Sequence, residues 1–80
     1  MVSVEFDRIT ADPDRLGGKP CIRGLRVSVG MIVQMVAAGK TAEDIVAEYP
    51  YLDLEDVRQA LGYAAALAEN EYHLELRSSA

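Results

Sequence analysis

Apolar and polar residues alternate at the start of the chain and recur with helical spacing from residue 28 onward. The alternation over residues 2–9 predicts a short, half-buried strand. Residues 11–19 are dense in turn formers and predict a loop. The apolar residues that follow surround Gly24 and predict a small hairpin that turns at Arg23-Gly24.

Three helices are predicted after the hairpin. Ser28 is placed to cap a first helix that runs through Ala38, and Gly39 is placed to end it. Thr41 and Asp53 each precede an aspartate by three residues, the spacing of a capping box, so they begin the second and third helices. Pro50 ends the second helix, and the third is expected to reach about residue 74. The residues expected on the buried faces are Val29, Ile32, Val33 and Val36 in the first helix, Ala42, Ile45, Val46 and Tyr49 in the second, and Leu54, Val57, Leu61, Ala64 and Ala68 in the third.

The predicted fold is mainly α: a short N-terminal strand and β hairpin, followed by a three-helix, helix-turn-helix bundle. All 80 residues fit one domain, with the strand, loop and hairpin at 2–27, the helical core at 28–74 and a tail at 75–80. The first helix is apolar on nearly every side, which favours a homodimer formed through this helix and the N-terminal strand. The residues expected at the dimer interface are Val4, Phe6, Met31, Val33 and Met35.

Composition excludes several other classes of protein. The longest apolar run, residues 29–38, is interrupted by Gln34 and is far shorter than the roughly 20 residues of a membrane span. The N-terminus carries acidic residues where a signal peptide would be basic, so we expect a cytoplasmic protein that does not enter the membrane. One cysteine and one histidine supply too few soft ligands for zinc, and we expect neither a metal nor a cofactor.

Catalytic chemistry is weakly indicated. Cys21 has cationic neighbours that could make it nucleophilic, but the single candidate base, His73, lies in the last helix, and a lone cysteine in a hairpin is usually a buried hydrophobe. Gly17-Gly18-Lys19 is followed by Pro20, which does not match a phosphate-binding Walker loop. The sequence favours a protein that binds partners over an enzyme.

Positive charge is concentrated in one segment of an acidic chain. Residues 15–26 carry +4, so the remainder carries −9 and the whole chain −5. This segment suits either a nucleic-acid backbone or a carboxylate-rich partner protein, and both interpretations stay open. The third helix adds two base readers on its expected outer face, although Glu55 and Asp56 at its leading end would repel phosphates. The residues expected to bind nucleic acid are Arg15, Lys19, Arg23, Arg26, Arg58 and Gln59.

Several segments occur in an order typical of one family. They are the RI and DP pairs within 8–13, GGKPCIRG at 17–24, RV at 26–27, AAG at 37–39, TAEDI at 41–45, YP at 49–50 and LEDVRQALGYAAALA at 54–68. On these segments the chain resembles the domain-of-unknown-function 433 family of small prokaryotic proteins. Leu25 and Ser28 stand where that family more often has Thr and Pro.

The resemblance implies a short β element on a homeodomain-like helical core, and a role as an antitoxin. Many members are taken to be antitoxins encoded beside a toxin with a PIN-like nuclease fold. We therefore expect this chain to silence such a ribonuclease by occluding its groove or by offering an arginine to its Mg²⁺-binding carboxylates, and to bind its operator DNA as a second activity. The chain ends soon after the third helix, so we expect only a short toxin-contacting tail. The residues expected to contact the toxin are Arg23, Arg26, Tyr72, Leu76 and Arg77.

Two alternatives to the antitoxin remain at this point. The chain can be a stand-alone dimeric helix-turn-helix regulator that binds DNA without a toxin partner. It can also be a dimeric adaptor that binds no DNA. A gel shift with the upstream promoter separates these two alternatives.

Overall fold

The computed structural model describes residues 6–14 and 16–70 of the chain. The regular elements in those residues are β1 (Ile9–Thr10), a 3₁₀ turn (Leu16–Gly18), β2 (Cys21–Ile22), α1 (Val29–Ala37), α2 (Ala42–Glu48) and α3 (Leu54–Asn70). A small antiparallel sheet thus precedes three packed helices, with α2 and α3 joined by a short turn. The predicted mainly α fold with a β hairpin is confirmed.

The chain turns after β2 at the position that the sequence predicted. Arg23 and Gly24 have φ angles of 48° and 71°, the left-handed pair that a type I′ turn requires. The turn is closed by the N–H of Leu25, which donates to the carbonyl of Ile22 at 2.7 Å, and the N–H of Ile22 donates to the carbonyl of Val27 at 2.9 Å. Gly24 adopts this conformation without a steric cost, and the tight turn directs the Arg23 side chain to one side of the hairpin.

A short N-terminal strand forms as predicted, but among the described residues it lies at Ile9–Thr10 and not over the predicted range 2–9. Residues 6–8 lie outside any strand, and the strand begins at Ile9, which pairs with Ile22 of β2. The reason is a competing set of hydrogen bonds. The N–H of Ile9 donates to the carbonyl of Phe6 at 3.0 Å, and the N–H of Arg8 donates to the Gln59 side chain on α3 at 3.0 Å. Residues 2–5 lie outside the described part of the chain.

The predicted ends of α1 are confirmed in their capping geometry. The Ser28 hydroxyl accepts a hydrogen bond from the N–H of Met31 at 3.0 Å. At the other end Gly39 has a φ of 101°, and the N–H of Lys40 donates to the carbonyl of Met35 at 3.1 Å. This is the Schellman arrangement, which satisfies carbonyls that the helix itself leaves unpaired.

Both predicted capping boxes form. Thr41 and Asp44 exchange side-chain and backbone hydrogen bonds at the start of α2. At the start of α3 the N–H of Asp53 donates to the Asp56 carboxylate at 3.0 Å, and the N–H of Asp56 donates to the Asp53 carboxylate at 2.9 Å. Reciprocal bonds of this kind satisfy two free backbone donors at each helix start.

The hydrophobic core lies where the hairpin, the α2–α3 turn and the three helices meet. Its buried members are Ile9, Ile22, Val27, Val29, Ile32, Ile45, Leu52, Val57 and Ala60. The predicted face of α3 needs correction, because Leu54 is 50% exposed and Ala68 is also exposed. The N-terminal segment and the hairpin pack against α3. The buried face of α3 therefore includes Asp56 and Gln59.

Candidate interaction surface

A buried carboxylate ties the hairpin and the N-terminal segment to α3. Asp56 is 0% exposed, and its two oxygens accept hydrogen bonds from Arg23 Nε at 3.0 Å and Arg23 Nη2 at 2.9 Å. Arg8 Nη1 donates to the same carboxylate at 3.1 Å. The paired bonds from Arg23 are the bidentate geometry in which guanidinium and carboxylate interact most strongly. We refer to Arg8, Arg23 and Asp56 as the arginine clasp.

The arginine clasp is charged at neutral pH. Burial acts to raise the pKa of Asp56, but the hydrogen bonds from Arg23, the Asp53 N–H and Arg8 outweigh it and hold the pKa below its ordinary value. The same contacts with Asp56 raise the pKa of Arg8 and of Arg23. Arg8 was not predicted as part of any site. Its partner lies 48 residues away in the sequence, a separation that local patterns do not cover.

Gln59 does not lie on an outer surface of α3, so its prediction as an exposed base reader is wrong. The residue is 5% exposed. Its side-chain oxygen accepts from the N–H of Arg8, and its Nε2 donates to Asp7 at 3.0 Å and to Glu55 at 2.9 Å. The N-terminal segment therefore covers the face of α3 on which a helix-turn-helix protein would be expected to read bases.

Arg58 remains exposed but is engaged with an acidic neighbour. Its guanidinium donates to both carboxylate oxygens of Glu55, three residues earlier on α3. The hydrogen bonds from Arg58 and Gln59 lower the pKa of Glu55 from 4.5 to about 2. The first turns of α3 thus present paired charges with a strongly ionised acid, which is unfavourable for docking on phosphates.

The cations of the predicted basic segment differ in whether they form ion pairs within the chain. Arg23 belongs to the arginine clasp, and its Nη2 also donates to the carbonyl of Tyr51 at 2.8 Å, with 42% of its side chain still exposed. Lys19 and Arg26 are exposed and form no ion pair with any residue that the structure describes. Arg15 lies outside the described residues. Lys19 and Arg26 are therefore the described cations of this segment whose charge is not neutralised by an ion pair within the described residues.

The residues predicted at the dimer interface pack partly within the chain. Phe6 makes an edge-to-face contact with Tyr63, with ring centroids 5.8 Å apart. Met31, Val33 and Met35 are partly buried against the core. Val4, like the predicted toxin-contacting residues Tyr72, Leu76 and Arg77, lies outside the described residues. The homodimer stays a prediction, which sedimentation over a range of concentrations tests.

Cys21 occupies an internal position. It is 1% exposed, and its thiol donates to the carbonyl of Lys19 at 3.1 Å, which agrees with its interpretation as a buried hydrophobe. Within residues 6–14 and 16–70, no group of three or more His, Cys, Asp or Glu is arranged to hold a metal ion. The helices described there are also too short or too polar to cross a membrane.

An apolar groove of about 620 Å³ lies between the start of α1 and the second half of α3. Leu67 on its α3 side is 39% exposed. Lys19 stands at the groove beside the first turn of α1. The residues that line the groove include Lys19, Gly30, Met31, Val33, Ala64 and Leu67.

The chain is thus a three-helix domain with a small hairpin, and the arginine clasp joins the type I′ turn of the hairpin to α3. The chain belongs to the family described as "Protein of unknown function (DUF433)", whose sequence model matches residues 9–64. This confirms the resemblance drawn from the sequence. The matched range includes the hairpin, α2, Asp56 and the first part of α3, as far as residue 64.

Similar proteins extend the same assignment. The chain is 45% identical over 58 residues to the uncharacterized protein y4eO of Sinorhizobium fredii, a match that covers 72% of this chain and 26% of that protein. It is 39% identical over 62 residues to the uncharacterized protein Rv2308 of Mycobacterium tuberculosis, which covers 78% of this chain and 26% of that protein. The matches to this chain thus span about a quarter of the length of these curated relatives.

A solved structure shares the fold. The crystal structure of a DUF433 member protein from Anabaena variabilis superposes with a TM-score of 0.73 at 31% sequence identity. The match covers 78% of this chain and 61% of that chain. The arrangement of hairpin and helices is therefore shared with that DUF433 member.

Proposed function

We propose that this chain is an antitoxin domain that binds and silences a PIN-like ribonuclease in the cytoplasm. The observation that carries the proposal is Arg26, an exposed cation next to the hairpin turn that pairs with no described residue on a protein of net charge −5. Membership in the DUF433 family supports the same role, because many members of that family are taken to be antitoxins.

The arginine clasp gives Arg26 a rigid base. Arg23 anchors the hairpin to the buried Asp56, so the turn that carries Arg26 is ordered before a partner arrives. Preorganisation of this kind reduces the entropy lost on binding. The Arg26 guanidinium can then donate two parallel hydrogen bonds to a carboxylate of the nuclease, and a carboxylate held in this way is a poorer ligand for Mg²⁺.

The proposal requires a gene for a PIN-like nuclease beside the gene for this chain, and it is tested by co-expression of the two. The wild-type chain is expected to restore growth and to co-purify with the nuclease. Arg26→Glu replaces attraction by repulsion at the carboxylates, and we expect it to weaken the complex by at least about 30-fold. Lys40→Glu makes the same change of charge beyond the C-terminal end of α1 and serves as the matched control.

Two results would contradict the proposal. A wild-type chain that neither restores growth nor binds the nuclease excludes the antitoxin role. An Arg26→Glu variant that inhibits as well as the Lys40→Glu control removes Arg26 from the interface and leaves the mechanism without its cation.

Operator binding is proposed as a second activity that depends on Lys19 and Arg26. Gln59 is buried and Arg58 is paired with Glu55, so α3 contributes little to it. In a gel shift with the upstream promoter, replacing both cations by alanine is expected to reduce the slope of log affinity against log salt by roughly 2, since each phosphate that a cation neutralises adds about 0.9 to that slope. An unchanged slope would mean that neither residue binds DNA.

A further inference from the structure

Gly30 is a glycine without an internal structural role. It is the second residue of α1, and a Cβ built there would meet only the Ser28 hydroxyl oxygen, at 3.9 Å. Glycine is among the poorest helix formers, so an alanine would make α1 more stable without a clash. The missing side chain opens the groove between α1 and α3. A glycine placed where a surface must stay open is typical of close approach by another backbone.

The charge of the groove indicates what approaches. None of its described lining residues is acidic, and its single charged member is Lys19, in a chain whose net charge is −5. The first turn of α1 also lacks acidic residues: the N–H groups of Val29 and Met31 are capped by the Pro20 carbonyl and the Ser28 hydroxyl, and no negative charge lies in the turn to neutralise Lys19. The apolar walls and this local positive potential together suit an apolar segment that carries a carboxylate.

We propose that the groove binds an amphipathic helix of the nuclease, with its backbone close to Gly30 and an acidic side chain paired with Lys19. The inference rests on the proposed function for the source of the helix. It adds a second contact, separate from Arg26, that gives affinity through burial of Leu67 and Val33. Grooves of this size and lining commonly receive the apolar face of a partner helix.

Charge distinguishes this occupant from a second copy of the chain. In a twofold dimer the same patch faces itself, so the groove of one protomer would meet the groove of the other. Lys19 would then find no acidic group in the partner's groove, because no lining residue that the structure describes is acidic. An acidic helix from a different protein supplies one, so the proposal assigns Met31 and Val33 to that helix rather than to the predicted dimer interface.

The test uses two synthetic helical peptides and the full ¹⁵N-labelled chain. Both peptides carry leucines at positions i, i+3, i+4 and i+7; one has two glutamates beside the leucine stripe, and the other has lysines there. We expect the acidic peptide to shift the amide signals of Gly30, Val33, Ala64 and Leu67 and to bind about five-fold more tightly than the basic one.

Three variants separate the contributions. Lys19→Glu is expected to abolish the preference for the acidic peptide. Gly30→Leu fills the groove mouth and is expected to abolish binding while the chain keeps its fold, which its amide spectrum verifies. Lys40→Glu is the charge-matched control and is expected to change affinity less than about two-fold, because it lies beyond the opposite end of α1.

Each contrary result overturns the proposal. These are no shift at the groove amides, equal binding of the two peptides, or undiminished binding by Gly30→Leu. Groove signals that shift with protein concentration alone would assign it to a second copy, and contacts between the groove and residues 71–80 in the free chain would assign it to the chain's own end. The peptides contain no nuclease sequence, so failure of the growth rescue and failure of this test are independent results.

Discussion

Removal of the charge on Asp56 tests the arginine clasp most directly. Asp56→Asn keeps the shape of the side chain but replaces an acceptor oxygen with a donor NH₂. That donor then faces the Arg23 guanidinium or the N–H of Asp53, both of which also donate. The substitution therefore leaves two arginines without their shared carboxylate and breaks one half of the α3 capping box.

The expected loss follows from the burial of the three side chains. Removing one partner of a buried ion pair costs roughly 3–5 kcal/mol. Arg8 and Arg23 keep 31% and 42% of their side chains exposed, so both can turn toward water and the lower figure applies. We expect about 3 kcal/mol less stability, which corresponds to a fall in Tm of roughly 12–24 °C for a domain of this size.

Asp53→Asn is the matched control. Its side chain is 60% exposed, and asparagine caps a helix about as well as aspartate, so only an exposed ion pair with Arg8 is removed. We expect a change below about 1 kcal/mol. Urea and thermal unfolding followed by circular dichroism at pH 7 measure both variants. Equal losses within about 0.5 kcal/mol would refute the reasoning, because burial of Asp56 would then contribute nothing.

Three further predictions concern the core, the N-terminal segment and acid stability. Ile45→Ala on α2, at a position that is 0% exposed, is expected to cost about 2–5 kcal/mol of unfolding free energy. Leu54→Ala on α3, at a position that is 50% exposed, is expected to cost under about 1 kcal/mol. Similar losses in the two variants would mean that Leu54 is buried after all, which would contradict the corrected face of α3. Gly62→Val is expected to cost about 1–3 kcal/mol and to weaken nuclear Overhauser contacts of Phe6, because a Cβ at Gly62 would already lie 3.0 Å from the ring; unchanged contacts would argue against this packing. Asp56 has a folded pKa below its ordinary 3.8, so its contribution to stability is complete above that pH and is lost as the pH falls through the folded pKa. Urea titrations from pH 6 to 2 should show that the unfolding free energy declines below about pH 3.8, and that the decline is smaller in Asp56→Asn. An identical decline in the two proteins would contradict the lowered pKa.

Features that depend on near neighbours in the sequence were predictable. The I′ turn at Arg23-Gly24 and the capping box that begins at Thr41 each involve residues at most three positions apart. Their geometry is set by backbone sterics and by side chains that satisfy adjacent backbone groups. The family assignment rests on the same property, because ordered local segments identify it without knowledge of the fold.

The sequence also located the basic segment, but it did not show which of its cations pair within the chain. Arg23 and Arg26 are three residues apart and look equivalent in the sequence. The structure directs Arg23 to a carboxylate 33 residues away and leaves Arg26 facing outward. Any candidate site that treats the segment as one uniform patch therefore assigns to a partner an arginine that is already paired with Asp56.

The sequence by itself determined the helices, their caps, the hairpin turn and the excess of positive charge in one segment. The tertiary structure decided which side of α3 is buried and which cations remain available to a partner. Helical periodicity places Asp56 and Gln59 on a polar face, and without knowledge of the fold a polar face is assigned to solvent. Here the N-terminal segment and Arg23 cover that face, because two guanidiniums, a peptide N–H and the Asp7 carboxylate satisfy its polar groups at distances of about 3 Å. Burial of polar groups depends on such partners, and these come from parts of the chain 33 or more residues away.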